Sequence, residues 1–423
     1  MDSIDVSSEP EDMTTLTGPR ALDQAGTRVR IAHGTGFWMI AAAFLITMAF
    51  STVPTPLYAI YQLRDGFPTF MITVIFATYA VGVMVSLYLA GHVSDWLGRR
   101  RVALLAVLAE AVAAVIFLLW QAVPGLLVAR FISGIGVGIL TATATAHLSE
   151  LRQIARPEED RSRSALISSM VNLGGLAFGP LVGGILAQYV SAPLDRPYEV
   201  FLVLLLLSAV GITLVPETVE RLEVRPAYRP QRVALPSGAR PLFFATAAGA
   251  FAAFGIFGLF TSLAPTFLAG TLHQTSRLLA GAVTFAVFVA GALSQVVFVR
   301  LTRRRQLQLG LVLMSVGLVG IAVGGLIPSL WLFVLGGVVA GAGAGLIFRG
   351  AVATAASLAD EGSRGEVLAA LFLITYVGLA VPVLAIGVGI ALLPAQLALL
   401  IFSALIFILV SLAGRRMLAA HRS

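Results

Sequence analysis

The chain has 423 residues, 58% hydrophobic and 12% charged, with a formal net charge of +7. A water-soluble domain carries about 25% charged residues, so this chain has too little polar surface to face water; the hydrocarbon core of a bilayer suits it. The lack of cysteine excludes a disulfide framework, a Cys-ligated zinc site, an iron–sulfur cluster and a thiol nucleophile, and His33, His92, His147, His273 and His421 have no metal-ligand spacing, so no metal or other cofactor is expected.

Residues 1–33 are polar and partly acidic and lack the basic start and apolar core of a signal peptide, which predicts a disordered cytoplasmic tail. Twelve apolar segments follow, each near the roughly 20 residues a helix needs to cross a bilayer. They lie at 35–60, 70–93, 102–120, 125–148, 165–189 and 198–216, then at 241–268, 278–300, 308–327, 330–357, 366–390 and 394–414. They lack the apolar/polar alternation of membrane strands, so the predicted class is all-α. All 28 basic residues are arginine, a bias expected of a high-GC bacterial genome. Arg64, Arg196 and Arg277 fall on one side of the predicted bundle, Arg130 and Arg349 within it, and the other 23 on the side of both termini. Such asymmetry places both termini in the cytoplasm and explains the basic balance without nucleic acid.

Segment 1 carries STVPTPLYAIYQ (51–62), where Pro54 and Pro56 break the helix. Tyr58 is a candidate for a cavity wall, although Tyr58 and Tyr61 equally suit the interfacial aromatic belt, the blander and preferred reading. Segment 2 runs into GHVSDWLGRRR (91–101). Gly91, Asp95, Gly98, Arg99 and Arg100 match G-x-x-x-D-x-x-G-R-R, and here the chain resembles the major facilitator superfamily. The resemblance implies two pseudo-symmetric six-helix halves that alternate access to a central site, and a conformational latch at this loop. Glu150, at the inner end of segment 4, is the expected partner of Arg99. Glu110, near the middle of segment 3 and roughly 12 Å from its inner end, either carries its proton or finds a partner there. It is one candidate for proton coupling.

Segment 4 opens with ARFISGIGVG (129–138), which resembles the family's R-x-x-x-G-x-G-x-G pattern through Arg130, Gly134, Gly136 and Gly138. The resemblance links Arg130 with proton transfer; snorkelling to the near interface is the alternative. Segment 5 contains NLGGLAFGPLVGG (172–184), where Gly175, Gly179, Pro180, Gly183 and Gly184 match the family's antiporter signature. That match implies drug/proton antiport and is the ground for expecting export. Asn172 is suited to hydrogen-bonding a substrate or to joining helices. The Arg/Pro/Glu-rich stretch 217–240 then divides a first bundle, 34–216, from a second, 241–416, with 417–423 as a cytoplasmic tail.

The second half repeats the first at near-constant offset: GRRRVALLAVLAEAV (98–112) aligns with TRRRQLQLGLVLMSVG (302–317), and GIGVG (134–138) with GAGAG (341–345). Such an internal duplication is a common transporter plan. The second signature loop is degraded, with Val299 opposite Asp95 and Thr302 opposite Gly98, so a latch there would pair Arg303 with Asp360 or Glu361. Phe254 and Phe257 in segment 7, Arg349 in segment 10 and Tyr376 in segment 11 are the remaining cavity candidates, Arg349 being able to attract an anionic group or to pair with a carboxylate.

No Walker loop is possible without lysine, and no zincin pair or G-x-S-x-G elbow occurs, so an enzyme is not expected. The expected function is proton-coupled export of a small, largely apolar compound across the cell membrane, by a monomer on family precedent. A sugar or metabolite facilitator or symporter is the alternative. A membrane sensor, more remote, would need a soluble partner domain.

Overall fold

The computed structural model describes residues 31–219, 228–230, 237–359 and 364–420. Among them no strand occurs. The first half is α1 (His33–Thr52), a 3-10 turn (Thr55–Leu57), α2 (Tyr58–Asp65), α3 (Thr69–Ala90), α4 (Ser94–Leu97), α5 (Arg99–Leu119), α6 (Val123–Ala155), α7 (Arg161–Tyr189) and α8 (Arg196–Leu214). The second is α9 (Arg240–Ser262), α10 (Ala264–Gly270), α11 (Arg277–Val297), α12 (Arg303–Leu326), α13 (Leu330–Ser357), α14 (Arg364–Leu392) and α15 (Ala395–Ala420). Twelve of these stretches, with α1 and α2 as one, are long and apolar enough to cross a membrane. Twelve crossings return the chain to its starting side. We call that side the terminal face and the other the far face.

Local chemistry sets the breaks. Pro54 and Pro56 cannot donate to the helix ladder, and the chain tightens into the 3-10 turn between α1 and α2. Pro265 sits in the first turn of α10, where a missing N–H costs nothing, and the chain is interrupted at Leu263. Leu105, Val112, Leu207 and Leu405 remain more than half exposed and form the lipid-facing rim.

Each half packs by the same scheme. Helix α3 lies on α6, α5 on α6 and α8, and α1 on α6, α7 and α8; the equivalents α11 on α13, α12 on α13 and α15, and α9 on α13, α14 and α15 repeat it. The halves join where α3 meets α14 and α7 meets α11. Several of these contacts lie toward the far face. There Arg277 donates its backbone N–H to Gln188 Oε1 (3.0 Å) and its guanidinium to the Ala187 carbonyl (3.1 Å), and α2 touches α10. Toward the terminal face, Ser169 Oγ donates to Gln295 Oε1 (3.0 Å) across the halves.

Candidate functional site

The signature loop is built around the start of α5. Gly98 has φ 102°, a conformation that a side chain makes costly. It exposes the first N–H groups of α5, and Glu217 accepts from Arg99 N (2.8 Å) and Arg100 N (3.3 Å). A carboxylate at a helix N-terminus satisfies orphan donors and complements the helix dipole. The Arg99 guanidinium meets Glu150 Oε1 (3.0 Å), donates to Ser94 Oγ (2.6 Å) and pairs with Asp95. Thr218 Oγ1 donates to Glu150 Oε2 (2.5 Å), while Arg100 reaches the Val215 carbonyl (3.3 Å). The structure thus brings Asp95, Arg99 and Glu150 together, with Gly91 closing the end of α3. Every contact named stays within the first half and the two residues that follow it, and none reaches the second half. The Asp95 side chain is 57% exposed, and among the described residues Arg99 is its ion-pair partner. In the second half, the pairing of Arg303 with Asp360 or Glu361 lies outside the described residues. Glu217 and Thr218 were missed by sequence reasoning; an acidic residue directly after segment 6 was the available signal.

Arg130 does not snorkel. It is 1% exposed, donates Nη1 to the Ser51 carbonyl (2.5 Å) and lies over the Tyr79 ring, 4.3 Å from its centroid. Its Nε has no partner. One turn along α6, the Ser133 hydroxyl faces Glu110 of α5, and Arg130 lies in the same electrostatic neighbourhood. Glu110 is fully buried, and neither carboxyl oxygen nor Ser133 Oγ completes a hydrogen bond of good geometry. Gly136 makes room for it: a methyl group there would lie 3.0 Å from both Glu110 Cγ and Oε1. The result is an acid, a hydroxyl and a guanidinium in series, inside a low-dielectric bundle where unpartnered polar groups are costly. Tyr58 (2% exposed) and Tyr61 (0%) turn into the protein, not toward an interfacial belt. Tyr61 contacts the Tyr198 hydroxyl (3.3 Å), and the Tyr58 hydroxyl is buried without a partner.

The α7 signature serves two seams. Gly175 and Gly183 let α1 approach: a methyl at Gly175 would lie 2.6 Å from the Leu45 carbonyl oxygen, and one at Gly183 2.7 Å from that of Val53. Thr52 Oγ1 donates to the Leu176 carbonyl (3.1 Å) and Gly179 packs on Ala49 at the same seam. Pro180 and Gly184 instead face Gly281 of α11, across the junction of the halves.

In the second half Phe254 packs on Phe348 (4.9 Å between centroids) and Tyr376 (5.9 Å), and Phe257 stacks on Phe288 (4.6 Å). Arg349 donates to the Gln295 carbonyl and has no carboxylate partner among the described residues. Asn172, half-buried on α7, makes no hydrogen bond to a described residue. Gln295 and Ser169 at this junction gave no sequence signal beyond being polar in apolar runs. No cluster of metal-ligating side chains occurs among the described residues.

Two six-helix halves, joined along two helix pairs and carrying buried ionisable groups, define a multi-pass membrane transporter. The chain belongs to the Major Facilitator Superfamily, a family of secondary transporters and not of enzymes, whose family model matches residues 35–378. It is similar to the chloramphenicol resistance protein CraA of Acinetobacter baumannii (32% identical over 115 residues, 27% of this chain and 26% of CraA). It is also similar to the arabinose–proton symporter of Bacillus subtilis (30% over 105 residues, 25% of this chain and 22% of the symporter). An uncharacterised MFS-type transporter of Mycobacterium tuberculosis is 34% identical over 114 residues, 27% of this chain and 16% of that protein. The chain thus spans about a quarter or less of the length of these curated relatives. In fold it is similar to the human organic anion transporter MFSD10 (TM-score 0.66, 16% identity, covering 91% of this chain and 100% of that one). It likewise resembles a bacterial homologue of the human lysosomal transporter Spinster in an inward-facing, occupied conformation (TM-score 0.68, 16% identity, covering 92% and 97%).

Proposed function

We propose that the chain exports a small, largely apolar compound in exchange for protons, the two halves rocking about a midplane site. The arginine distribution supports a cytoplasmic terminal face in a bacterial cell membrane, and the far-face contacts then describe a conformer closed to the exterior. The observation that carries the coupling is Glu110: a fully buried carboxyl with no completed hydrogen bond, facing Ser133 and in the field of Arg130. A carboxyl so placed changes charge only if the bundle supplies a route and a compensating group, and Arg130 is the buried cation beside it. The Asp95–Arg99–Glu150 cluster, fixed on the first half, presents Asp95 as the free side of a latch that closes in the opposite conformer. The glycine seams of α7 against α1 and α11 support antiport through the family signature.

The test begins with a resistance screen in a host stripped of its own efflux pumps. A compound so identified is then followed in everted vesicles. Uptake that needs an imposed proton gradient, stops with an ionophore and loses its pH dependence in Glu110→Gln supports the reading. Uptake indifferent to the gradient, or an unchanged pH profile in Glu110→Gln, refutes it.

A further inference from the structure

Near the terminal face, α7, α11 and α13 meet at Gln295. Its Oε1 accepts from Ser169 of α7 and its carbonyl accepts from Arg349 of α13, so both helices are tied to one residue. Gln295 is 5% exposed, yet its Nε2 has no acceptor. A buried donor left unmade costs about 1–3 kcal/mol. The Arg349 guanidinium spends one N–H on the Gln295 carbonyl and faces no carboxylate among the described residues. Asn172 lies one turn beyond Ser169 on the same side of α7, half-buried and without a hydrogen bond to any described residue. Two glycines close in sequence to these groups are loosely surrounded: at Gly350, beside Arg349 in the chain, and at Gly174, two residues after Asn172, an added methyl group would meet no neighbouring helix within 4 Å.

Among the described residues the junction therefore holds an unmade amide donor and one positive charge with no carboxylate to match. A planar guanidinium fork beside an amide N–H matches the two oxygens of a carboxylate. Phe348 precedes Arg349 on α13, and its ring packs on Phe254, which in turn packs on Tyr376, an aromatic group that suits an apolar body and not a second charge. We propose that the transported compound is an amphipathic organic anion, its carboxylate held by Arg349 and the Gln295 amide and its apolar part on the Phe254–Phe348–Tyr376 cluster. This rests on the transport reading and narrows it: the cargo is apolar at one end only.

The test is binding to the purified full chain in lipid nanodiscs, with four probes: 1-naphthylacetate, its neutral amide, 1-naphthylmethylammonium and acetate. The carboxylate is expected to bind about tenfold or more tighter than the amide, as a charge-assisted hydrogen-bonded pair allows, with the ammonium and acetate weaker still. In Arg349→Gln the carboxylate and amide become about equal while amide affinity stays within about twofold; Gln295→Leu, of similar volume, weakens the carboxylate several-fold. Equal or tighter binding of the amide or ammonium by the wild-type chain, acetate as tight as naphthylacetate, or no binding of naphthylacetate overturns the proposal, and none of these needs a variant to fold. A selective carboxylate that an imposed proton gradient does not move sinks the coupling and leaves this site standing. A transported neutral or cationic compound, with no carboxylate binding, does the reverse.

Discussion

Replacing Gly136 by alanine places a methyl group 2.9 Å from the Ala106 carbonyl oxygen and 3.0 Å from Glu110 Cγ. Contacts that short force the α5–α6 seam apart by a few tenths of an ångström, and an added methyl in a packed core costs about 1–3 kcal/mol. Glu110 supplies one of the two obstacles and the α5 backbone the other. Removing the acid in Glu110→Ala therefore relieves roughly half of the strain, a coupling of about 1 kcal/mol. The double variant Gly136→Ala/Glu110→Ala should be more stable by that amount than the sum of the single effects. Thermal unfolding of the four proteins in one detergent, read by loss of the monodisperse chromatographic peak, completes the cycle. Additivity within about 0.5 kcal/mol would show that Glu110 does not lie against Gly136, and the acid would have to be placed elsewhere.

Three further outcomes follow from the same contacts. Truncating Glu217 to alanine removes the acceptor from the first two N–H groups of α5 and should cost about 1–2 kcal/mol, with Glu217→Gln intermediate, in the same unfolding assay. Arg130→Lys loses both the reach to the Ser51 carbonyl and the planar stack on Tyr79, and should lower the melting point of the chain, whereas a snorkelling arginine would tolerate lysine. In the α6–α7 loop, the hydrogen bond from Arg156 and then that from Arg152 hold the Glu159 carboxyl below its usual range. A lowered folded-state value means stability present at neutral pH and lost on acidification through that value, so acid should lower the hydrogen-exchange protection factors of this loop, taken relative to the intrinsic exchange rate at each pH, and Glu159→Gln should remove the effect.

The membrane segments were legible because hydropathy alone marks them, and Pro54 and Pro56 announced the break between α1 and α2. Helix ends were less so. Segment 4 reads as ending at 148 because His147, Glu150 and Arg152 interrupt the apolar run, yet α6 continues to Ala155. There Arg152 reaches Glu159 (2.8 Å) and His147 Nε2 contacts the Pro216 carbonyl (3.2 Å), so distant partners carry the polar residues. The interruption of segment 7 at Leu263 had a local sign in Pro265 that hydropathy smoothed over. Motif residues were found because their spacing is local. Glu217 and Gln295 were not, because their meaning lies in what they meet: a helix start more than a hundred residues earlier, and a guanidinium on another helix.

In the proposed exchange, proton occupancy at Glu110 sets which face is open. Because the chain has no cysteine, spin labels can be placed at chosen pairs of exposed sites: Leu63→Cys with Gln274→Cys on the far face, and Glu158→Cys with Arg300→Cys on the terminal face. Pulsed electron–electron distance measurements at acidic and alkaline pH should show the two pairs changing in opposite senses, one opening as the other closes, and Glu110→Gln should hold both distances fixed. Distances that ignore pH in the unmodified background, or that shift equally in Glu110→Gln, contradict it.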